Sequence, residues 1–435
     1  LSMRILTLFI CTLFTLTTSA QFSKPRREYV EYLISTDHID RNYQTGQPAY
    51  VKLQAFAGGV PLENVYVHYT HGDEMMPLST GDSILIQSGE ALIAIGTRQE
   101  PGFRTCHLRF TVDGKEYKDM VKVGYSTESI RPVIPMPQDF EKFWSKVLKK
   151  VRSIPMDVEV TPMPQYDSPT VKVSLVKIVC GENGRSIYGF LAQPKKEGKY
   201  PVLFTPPGAG VKKIDPILNY AEMGFISLNI EIHGFLPDQS VEEYKKLNEQ
   251  YGDYMYTNLH DPYTYYYKDV YAGCVRAVDY LCSLPQFDGK NVCVTGGSQG
   301  GALTIVTAAL HPRVTCLAPF YPAMSDMNGF LHERAGGWPK FFCDEKTIAK
   351  MNGVTIDQAV QTLSYYDVVN FAKLIKVPGF YSFGYNDETC SATSIMSVIN
   401  SVSAPKKVVI TPTSGHWRFP ITNMESIQWM KEQCK

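Results

Sequence analysis

The sequence contains 435 residues, of which 44% are hydrophobic and 20% are charged. These proportions are ordinary for a globular protein, and the length predicts more than one domain. The 43 basic and 43 acidic residues give a formal net charge of zero. The chain therefore lacks the basic excess that attracts phosphate backbones, and nucleic acid is not an expected partner.

Residues 1–20 have the three parts of a secretory signal peptide. Met3 and Arg4 form a short basic start, residues 5–16 are mostly apolar, and Ala20 is a small residue suited to signal peptidase. The apolar run is too short to span a bilayer. We therefore expect a cleaved leader, a secreted or periplasmic protein, and no stable membrane insertion.

Cysteine spacing argues against a metal site. Of the ten cysteines, Cys11 lies in the predicted leader, and the other nine are irregularly spaced without a Cys-x-x-Cys pair. Zinc sites commonly show such pairs. We expect neither a metal nor another cofactor, and the sequence does not identify a disulfide pair.

Residues 21–125 show the pattern of short β-strands. Apolar and polar residues alternate over 105–112, which indicates a strand with one buried face. Residues 112–115 (Val-Asp-Gly-Lys) form a hairpin turn into the next strand. Further strand-like runs cover residues 50–56, 64–69, 83–87 and 91–95. Short strands at this spacing predict an immunoglobulin-like β-sandwich.

The composition changes after residue 125. Residues 126–137 are proline-rich and are predicted to be a linker. A helix follows, because apolar residues then recur in one stripe at Phe140, Phe143, Trp144, Val147, Leu148 and Val151. Beyond it, apolar strands alternate with helical stretches. We therefore predict an α/β domain over residues 138–435, with a mostly parallel sheet flanked by helices.

The motif Gly296-Gly297-Ser298-Gln299-Gly300 fits the Gly-x-Ser-x-Gly nucleophile elbow. An apolar run of strand length precedes it over residues 291–295, and a run of small residues and helix formers follows it. Strand, sharp turn and helix are the setting that the motif requires. This predicts Ser298 as a nucleophile and an α/β-hydrolase fold. In so tight a turn, glycine avoids the clash that a Cβ would make.

A serine hydroxyl needs an adjacent base, and in this fold the order along the chain is serine, acid, histidine. Three histidines follow Ser298. His311 closes the helix directly after the elbow, and His332 has no strand end nearby. His416 lies in a glycine-containing loop straight after the strand predicted over residues 407–411. We therefore predict His416 as the base.

The acid should also follow a strand. Asp387 comes after the apolar run 379–383 and a short turn, and we predict that it orients the histidine. Asp326 and Asp367 are its competitors, and Glu388 is on the same loop.

The oxyanion of the tetrahedral intermediate needs two N–H donors. The backbone N–H of Gln299, the residue after the nucleophile, is one. The other should come from residues 206–210 (Pro-Pro-Gly-Ala-Gly), which follow an earlier strand. Pro207 has no N–H, so the residues leave Gly208 and Ala209 as candidates.

Several motifs in the second half of the chain occur in the order of one known family. They are Asp139-Phe140-x-x-Phe143-Trp144, Arg185-Ser186-Ile187-Tyr188-Gly189, residues 265–271 and 275–281, Gly-Gly-Ser-Gln-Gly-Gly at 296–301, and Tyr366-Asp367-x-x-Asn370-Phe371-Ala372. From about residue 135 to the C-terminus the chain resembles the cephalosporin-C deacetylase and acetyl xylan esterase family of α/β-hydrolases. The resemblance implies the triad Ser298, Asp387 and His416, with Gly208 and Gln299 as the oxyanion hole.

The resemblance also implies what the enzyme acts on and how it assembles. We expect it to remove short acyl groups, acetyl above all, from acetylated carbohydrate or from small acyl esters. Members often form ring-shaped hexamers, so a homo-oligomer is implied. An added N-terminal domain would block or remodel that assembly.

Two departures from the family pattern lie near the expected pocket. Residues 233–235 read His-Gly-Phe where the family has Arg-Gly-Gln, and residues 391–392 read Ser-Ala where it has a proline pair. We assign His233, Phe235 and Trp417 to the substrate pocket. For Trp417, a place in the core is the alternative.

Two other functions stay open at this point. One is a serine peptidase of the prolyl-oligopeptidase kind, and the other is a catalytically dead carbohydrate-binding protein. Every candidate catalytic residue lies after the proline-rich segment. We therefore expect the β-sandwich to be separable from the chemistry.

Overall fold

The computed structural model describes residues 29–434, so the predicted leader at 1–20 lies outside the described residues. The N-terminal part contains nine strands: β1 Val30–Thr36, β2 Asn42–Tyr43, β3 Ala49–Ala57, β4 Val60–Pro61, β5 Tyr66–Asp73, β6 Asp82–Leu85, β7 Glu90–Gly96, β8 Gly102–Val112 and β9 Lys115–Tyr125.

These strands form two sheets packed face to face. One sheet has the order β1-β3-β4, with β7 also paired to β3, and the other has the order β2-β9-β8-β5-β6. Inward-facing side chains of both sheets share one core, for example Val51 and Ile93 from the first and Val67 and Leu108 from the second. The predicted hairpin is confirmed, because Val112 pairs with Lys115 across the β8–β9 turn.

The remaining strands are β10 Glu159–Pro162, β11 Val171–Val179, β12 Ser186–Pro194, β13 Tyr200–Thr205, β14 Ile226–Glu231, β15 Phe287–Gly297, β16 Cys316–Phe320, β17 Gly379–Gly384 and β18 Lys406–Thr411. The helices are α1 Phe140–Arg152, α2 Asn219–Glu222, α3 Val241–Tyr251, α4 Tyr267–Ser283, α5 Gln299–Leu310, α6 Glu345–Ala349, α7 Ile356–Ser364, α8 Val368–Ala372, α9 Ala392–Ser401 and α10 Pro420–Gln433.

The second region is built on one nine-stranded sheet with the order β10-β11-β12-β14-β13-β15-β16-β17-β18. The pairs from β10 to β14 are antiparallel, and those from β14 to β18 are parallel. The strands that precede the elbow, the acid and the histidine are β15, β17 and β18, which all belong to the parallel part. Their carboxyl ends therefore meet at one edge of the sheet, where such folds place their sites.

Helix α1 packs on helices α4 and α8 with the predicted apolar stripe. All six stripe residues are buried, and the last turn carries the basic residues that suit a helix C-terminus. The segment predicted to be a linker packs against the second region. The side chains of Ile130 and Ile134 are buried in the large core, and the N–H groups of Val133 and Ile134 donate to Asp326 Oδ1 at 2.8 and 3.0 Å.

The described cysteines are all free thiols. Cys293 Sγ lies 3.3 Å from Cys316 Sγ and 3.7 Å from Cys434 Sγ, without a bond between them. Within residues 29–434, no helix is long and apolar enough to cross a membrane. The same residues contain no group of histidine, cysteine and acidic side chains arranged to hold a metal ion.

Candidate active site

Ser298 lies at the sharp turn between β15 and α5. Its backbone has φ 58° and ψ −125°, a strained conformation for a residue with a side chain, of the kind that clusters at functional sites. A Cβ added to Gly296 would lie 2.6 Å from the Gly300 carbonyl oxygen, and one added to Gly300 would lie 2.5 Å from the Pro206 carbonyl oxygen. The glycines therefore permit close approach of the backbone, as the sequence predicts.

His416 and Asp387 are joined by a hydrogen bond. His416 Nδ1 lies 2.7 Å from Asp387 Oδ2, and the carboxylate is fully buried while the imidazole is 27% exposed. The other carboxylate oxygen, Oδ1, accepts from the backbone N–H groups of Thr389 and Cys390, both at 2.8 Å. Three hydrogen bonds thus fix the orientation of this carboxylate toward the imidazole.

Tyr321 connects the histidine to the elbow. Its ring centre is 4.4 Å from that of His416, and its hydroxyl would lie 2.9 Å from a Cβ added to Gly297. The N–H of Ser298 donates to the carbonyl of Phe320 at 3.1 Å. Among the described residues the His416 ring makes its one hydrogen bond through Nδ1, so Nε2 is available to take a proton.

Cys390 is a functional neighbour that sequence reasoning missed. Its buried thiol lies next to the Ser298 side chain. Burial, together with the nearby Asp387 carboxylate, raises the pKa of this thiol well above its ordinary value, so it is neutral. No pattern around Cys390 indicates this role, because the contact joins two loops far apart in sequence.

The competing acids have structural partners of their own. The Asp326 carboxylate pairs with Arg334 at 2.6 Å. Asp367 caps α8 and accepts from the N–H groups of Asp326 and Met327 at 2.9 and 2.7 Å. Burial raises the pKa of Asp367 to about 7. The side chain of Glu388 is exposed to solvent.

The competing histidines are likewise placed elsewhere. His311 is buried at the end of α5, with Nε2 3.0 Å from Asp279 Oδ1. His332 is exposed in the short 3-10 turn Gly329–His332. Of the three histidines, it is His416 that the structure joins to Asp387 and places against Tyr321, beside the elbow.

The oxyanion loop, residues 206–210, is fastened by the side chain of Gln299. Its Nε2 donates to the carbonyls of Pro207 and Gly208 at 3.4 and 3.3 Å. Its Oε1 accepts from the hydroxyls of Tyr254 and Tyr267 at 2.6 and 2.7 Å. The two carbonyls can only accept and therefore fix which end of the amide faces them. The residue that is predicted to offer its backbone N–H to the oxyanion thus also holds the loop that is predicted to supply the second donor.

His233 also forms a hydrogen bond to the oxyanion loop. Its Nε2 donates to the Gly210 carbonyl at 3.3 Å, and its Nδ1 accepts from the Tyr266 hydroxyl at 2.7 Å. Burial lowers the pKa of His233 to about 4, so the ring is neutral. Both ring nitrogens are engaged, so the structure gives this residue a role in holding the loop. Its predicted contact with substrate stays a prediction.

The other two residues assigned to the pocket lie in different surroundings. Phe235 lines a cavity of about 470 Å³ together with His233, Tyr251 and Tyr254, and none of the triad residues lines it. Trp417 is 62% exposed, which excludes the core alternative and leaves its indole at the surface beside His416.

Comparison with known proteins shows the family of the chain. Residues 126–433 match the acetyl xylan esterase (AXE1) family. The chain is 41% identical over 438 aligned positions to acetyl esterase Axe7A of Xylanibacter ruminicola, with 99% of this chain and 97% of that protein covered. This likeness therefore includes the N-terminal β region.

Two solved structures share the fold of the second region. An acetyl xylan esterase from Paenibacillus sp. R4 is 25% identical, with a TM-score of 0.59, and covers 70% of this chain and 98% of its own. Acetyl xylan esterase 1 from Thermoanaerobacterium sp. JW/SL YS485 is 22% identical, with a TM-score of 0.61, and covers 71% and 98%.

These likenesses favour ester hydrolysis over a peptidase or an inactive binding protein. The residues that match the family model, 126–433, include Ser298, Asp387 and His416. The fold is the one predicted. The chain belongs to the acetyl xylan esterase family of α/β-hydrolases and is a carboxylic-ester hydrolase.

Proposed function

We propose that this protein is a secreted or periplasmic serine esterase that removes acetyl groups from carbohydrate through an acyl-enzyme. The observation that carries the proposal is the bond between His416 and the buried Asp387 at the edge of the sheet where the strained Ser298 lies. A serine, a base and a third group that orients the base are the parts that this chemistry requires.

In the first half of the reaction the Ser298 hydroxyl attacks the acetyl carbonyl carbon. His416 Nε2 takes the hydroxyl proton, and Asp387 stabilises the imidazolium that forms. The carbonyl oxygen becomes an oxyanion, which the N–H groups of Gln299 and Gly208 stabilise. When the tetrahedral intermediate collapses, His416 returns the proton to the departing sugar oxygen, and the acetyl group stays on Ser298.

In the second half water takes the place of the sugar. His416 removes a proton from the water as its oxygen attacks the acetyl carbon, and a second oxyanion forms in the same hole. Collapse breaks the bond to Ser298 Oγ, which regains its proton from His416. Acetate leaves, and no metal or cofactor takes part in either half.

The substrate is inferred from relatives and from the sequence. The matched family and the two solved neighbours are described as acetyl xylan esterases, and the curated relative as an acetyl esterase. Location rests on the leader pattern at residues 1–20. A homo-oligomer remains an expectation from the family resemblance.

The test is acetate release from acetylated xylan and from aryl esters of increasing acyl length. We expect acetyl esters to be turned over faster than octanoyl esters. Ser298→Ala should lower kcat by a factor on the order of 10⁶, as in other triads, whereas exposed Ser283→Ala should not change it. If Ser298→Ala kept more than about 1% of the wild-type activity, the assignment would be refuted, because the residual activity of such triads is far lower.

A further inference from the structure

The outer face of strand β9 lies against the loop that carries the acid. We call residues 385–391 the acid loop. The side-chain amide of Asn386 accepts from the N–H of Lys122 at 2.9 Å and donates to the carbonyl of Met120 at 2.9 Å. Beside it, the rings of Phe103 and Tyr385 meet edge to face with centres 4.8 Å apart. The β-sandwich is therefore in direct contact with the site, contrary to the expectation of a separate module.

A buried ion pair lies at the centre of this contact. Lys122 Nζ is 2.8 Å from Glu74 Oε1, and each side chain is 1% exposed. The same ammonium donates to the backbone carbonyl of Asp387 at 2.6 Å. A charge of the β-sandwich is thus bonded to the backbone of the residue that orients His416.

Glu74 holds the other end of the acid loop. Its two carboxylate oxygens accept from the N–H groups of Ala392 and Thr393 at 2.9 and 3.0 Å. These N–H groups belong to the first turn of α9, where they have no partner within the helix and where the helix dipole favours a negative charge. The ion pair therefore forms hydrogen bonds to the acid loop at Asp387 and to the first turn of α9, where the loop ends.

Burying two charges is costly, and the attraction between them offsets that cost only when their remaining hydrogen bonds are satisfied. Here the ammonium and the carboxylate have such partners, and each side chain contacts the acid loop or its end. An apolar pair would fill the same space without bonding to the Asp387 carbonyl or to the two N–H groups at the start of α9. The arrangement therefore indicates that the ion pair positions the acid loop and does more than fill space in the core.

We propose that Lys122 and Glu74 are positioning residues that hold the acid loop so that Asp387 is aligned with His416. The proposal rests on the proposed function, because it assumes that Asp387 orients the base. It makes the N-terminal β-sandwich part of the catalytic machinery. Misplacement of a catalytic group by about 1 Å can cost on the order of 10²-fold in rate, which sets the expected size of the effect.

The first experiment compares Lys122→Met with Lys118→Met in the full chain. Lys118 lies on the same strand and the same face, but its side chain is 67% exposed, so it controls for loss of a lysine. We expect Lys122→Met to lower kcat on aryl acetate between about tenfold and 10²-fold with KM within about twofold. Lys118→Met should match the wild type. A folded Lys122→Met with wild-type kcat overturns the proposal.

Lys122→Met leaves Glu74 buried without its partner and is at risk of not folding. The second variant, Lys122→Met with Glu74→Gln, removes both charges and should show the same fall in kcat. A folded double variant with wild-type kcat overturns the proposal as well.

A double-mutant cycle separates positioning from general destabilisation. If Lys122 acts through Asp387, then Lys122→Met should lower kcat no further in an Asp387→Asn background. Additive losses overturn the proposal, since they would mean that Lys122 acts by another route. Ser298→Ala keeps the two claims apart. If that variant stays active, the proposed function fails, whereas an inactive Ser298→Ala with a fully active Lys122→Met defeats only the inference about the β-sandwich.

Discussion

The oxyanion loop is held by residues of the hydrolase region alone, whereas the acid loop is held in part by the β-sandwich. The first depends on neutral groups, namely the Gln299 amide, two tyrosine hydroxyls and the uncharged His233 ring. The second is gripped by the buried Lys122–Glu74 pair. Both loops offer backbone groups to the partners that hold them.

Because of this difference, the two loops should respond differently when one of their partners is removed. A neutral hydrogen bond is worth about 1 kcal/mol net, so losing one partner weakens the oxyanion loop by steps. Breaking a buried ion pair leaves an uncompensated charge and costs about 3–5 kcal/mol. The neutral network lies within the hydrolase region itself, whereas the buried ion pair that holds the acid loop belongs to the β-sandwich.

Among changes to these two loops, the largest effect should come from the acid itself. In Asp387→Asn the amide cannot hold His416 in the correct tautomer, so we expect kcat to fall by a factor on the order of 10³–10⁴ with the fold retained. Steady-state kinetics on aryl acetate measures this. The matched control is Glu388→Gln on the same loop, whose side chain is exposed and which should keep wild-type kcat. Equal losses in both variants would show that the loop, not the carboxylate, is what matters.

A smaller effect on kcat is expected when the hydrogen bonds from the Gln299 side chain to the oxyanion loop are removed. Gln299→Ala keeps the backbone N–H but releases Pro207 and Gly208, and we expect kcat to fall by a factor on the order of 10². Tyr267→Phe removes one of the two hydroxyls on Gln299 Oε1 and should cost about tenfold or less. Wild-type kcat in Gln299→Ala would mean that the loop holds its shape without this side chain.

The smallest effect concerns pH and stability. The pKa of His233 is lowered by burial to about 4, whereas an unfolded chain protonates histidine near pH 6.5. The stability that comes from neutral His233 is therefore fully present above about pH 6.5 and is lost as the pH falls through about 4.

His233→Gln keeps a donor and an acceptor but does not titrate. Between about pH 6.5 and 4 the wild type should lose up to roughly 3 kcal/mol more of its free energy of unfolding than the variant does. Urea unfolding at several pH values measures the difference. Parallel curves for the two proteins would show that His233 is not held neutral in the fold.

The parts of the site that the sequence predicts are those set by local pattern. The elbow follows from five consecutive residues and their flanks, and Asp387 and His416 follow from their places after strands β17 and β18. The grip of Lys122 on Asp387 joins residues 265 positions apart, and no periodicity along the chain encodes such a pair. The sequence places His233 near the pocket because residues 233–235 depart there from the family pattern. Its hydrogen bond to the Gly210 carbonyl is visible only in the packed structure.

The most direct test of the account is to find where the acetyl group resides during turnover. Wild-type enzyme is mixed with an aryl acetate, quenched in acid within the first turnovers, digested and mapped by mass spectrometry. We predict an acetyl adduct on the peptide that contains Ser298, and none in Ser298→Ala. An adduct on the neighbouring Cys390, or turnover without any adduct, would contradict the mechanism.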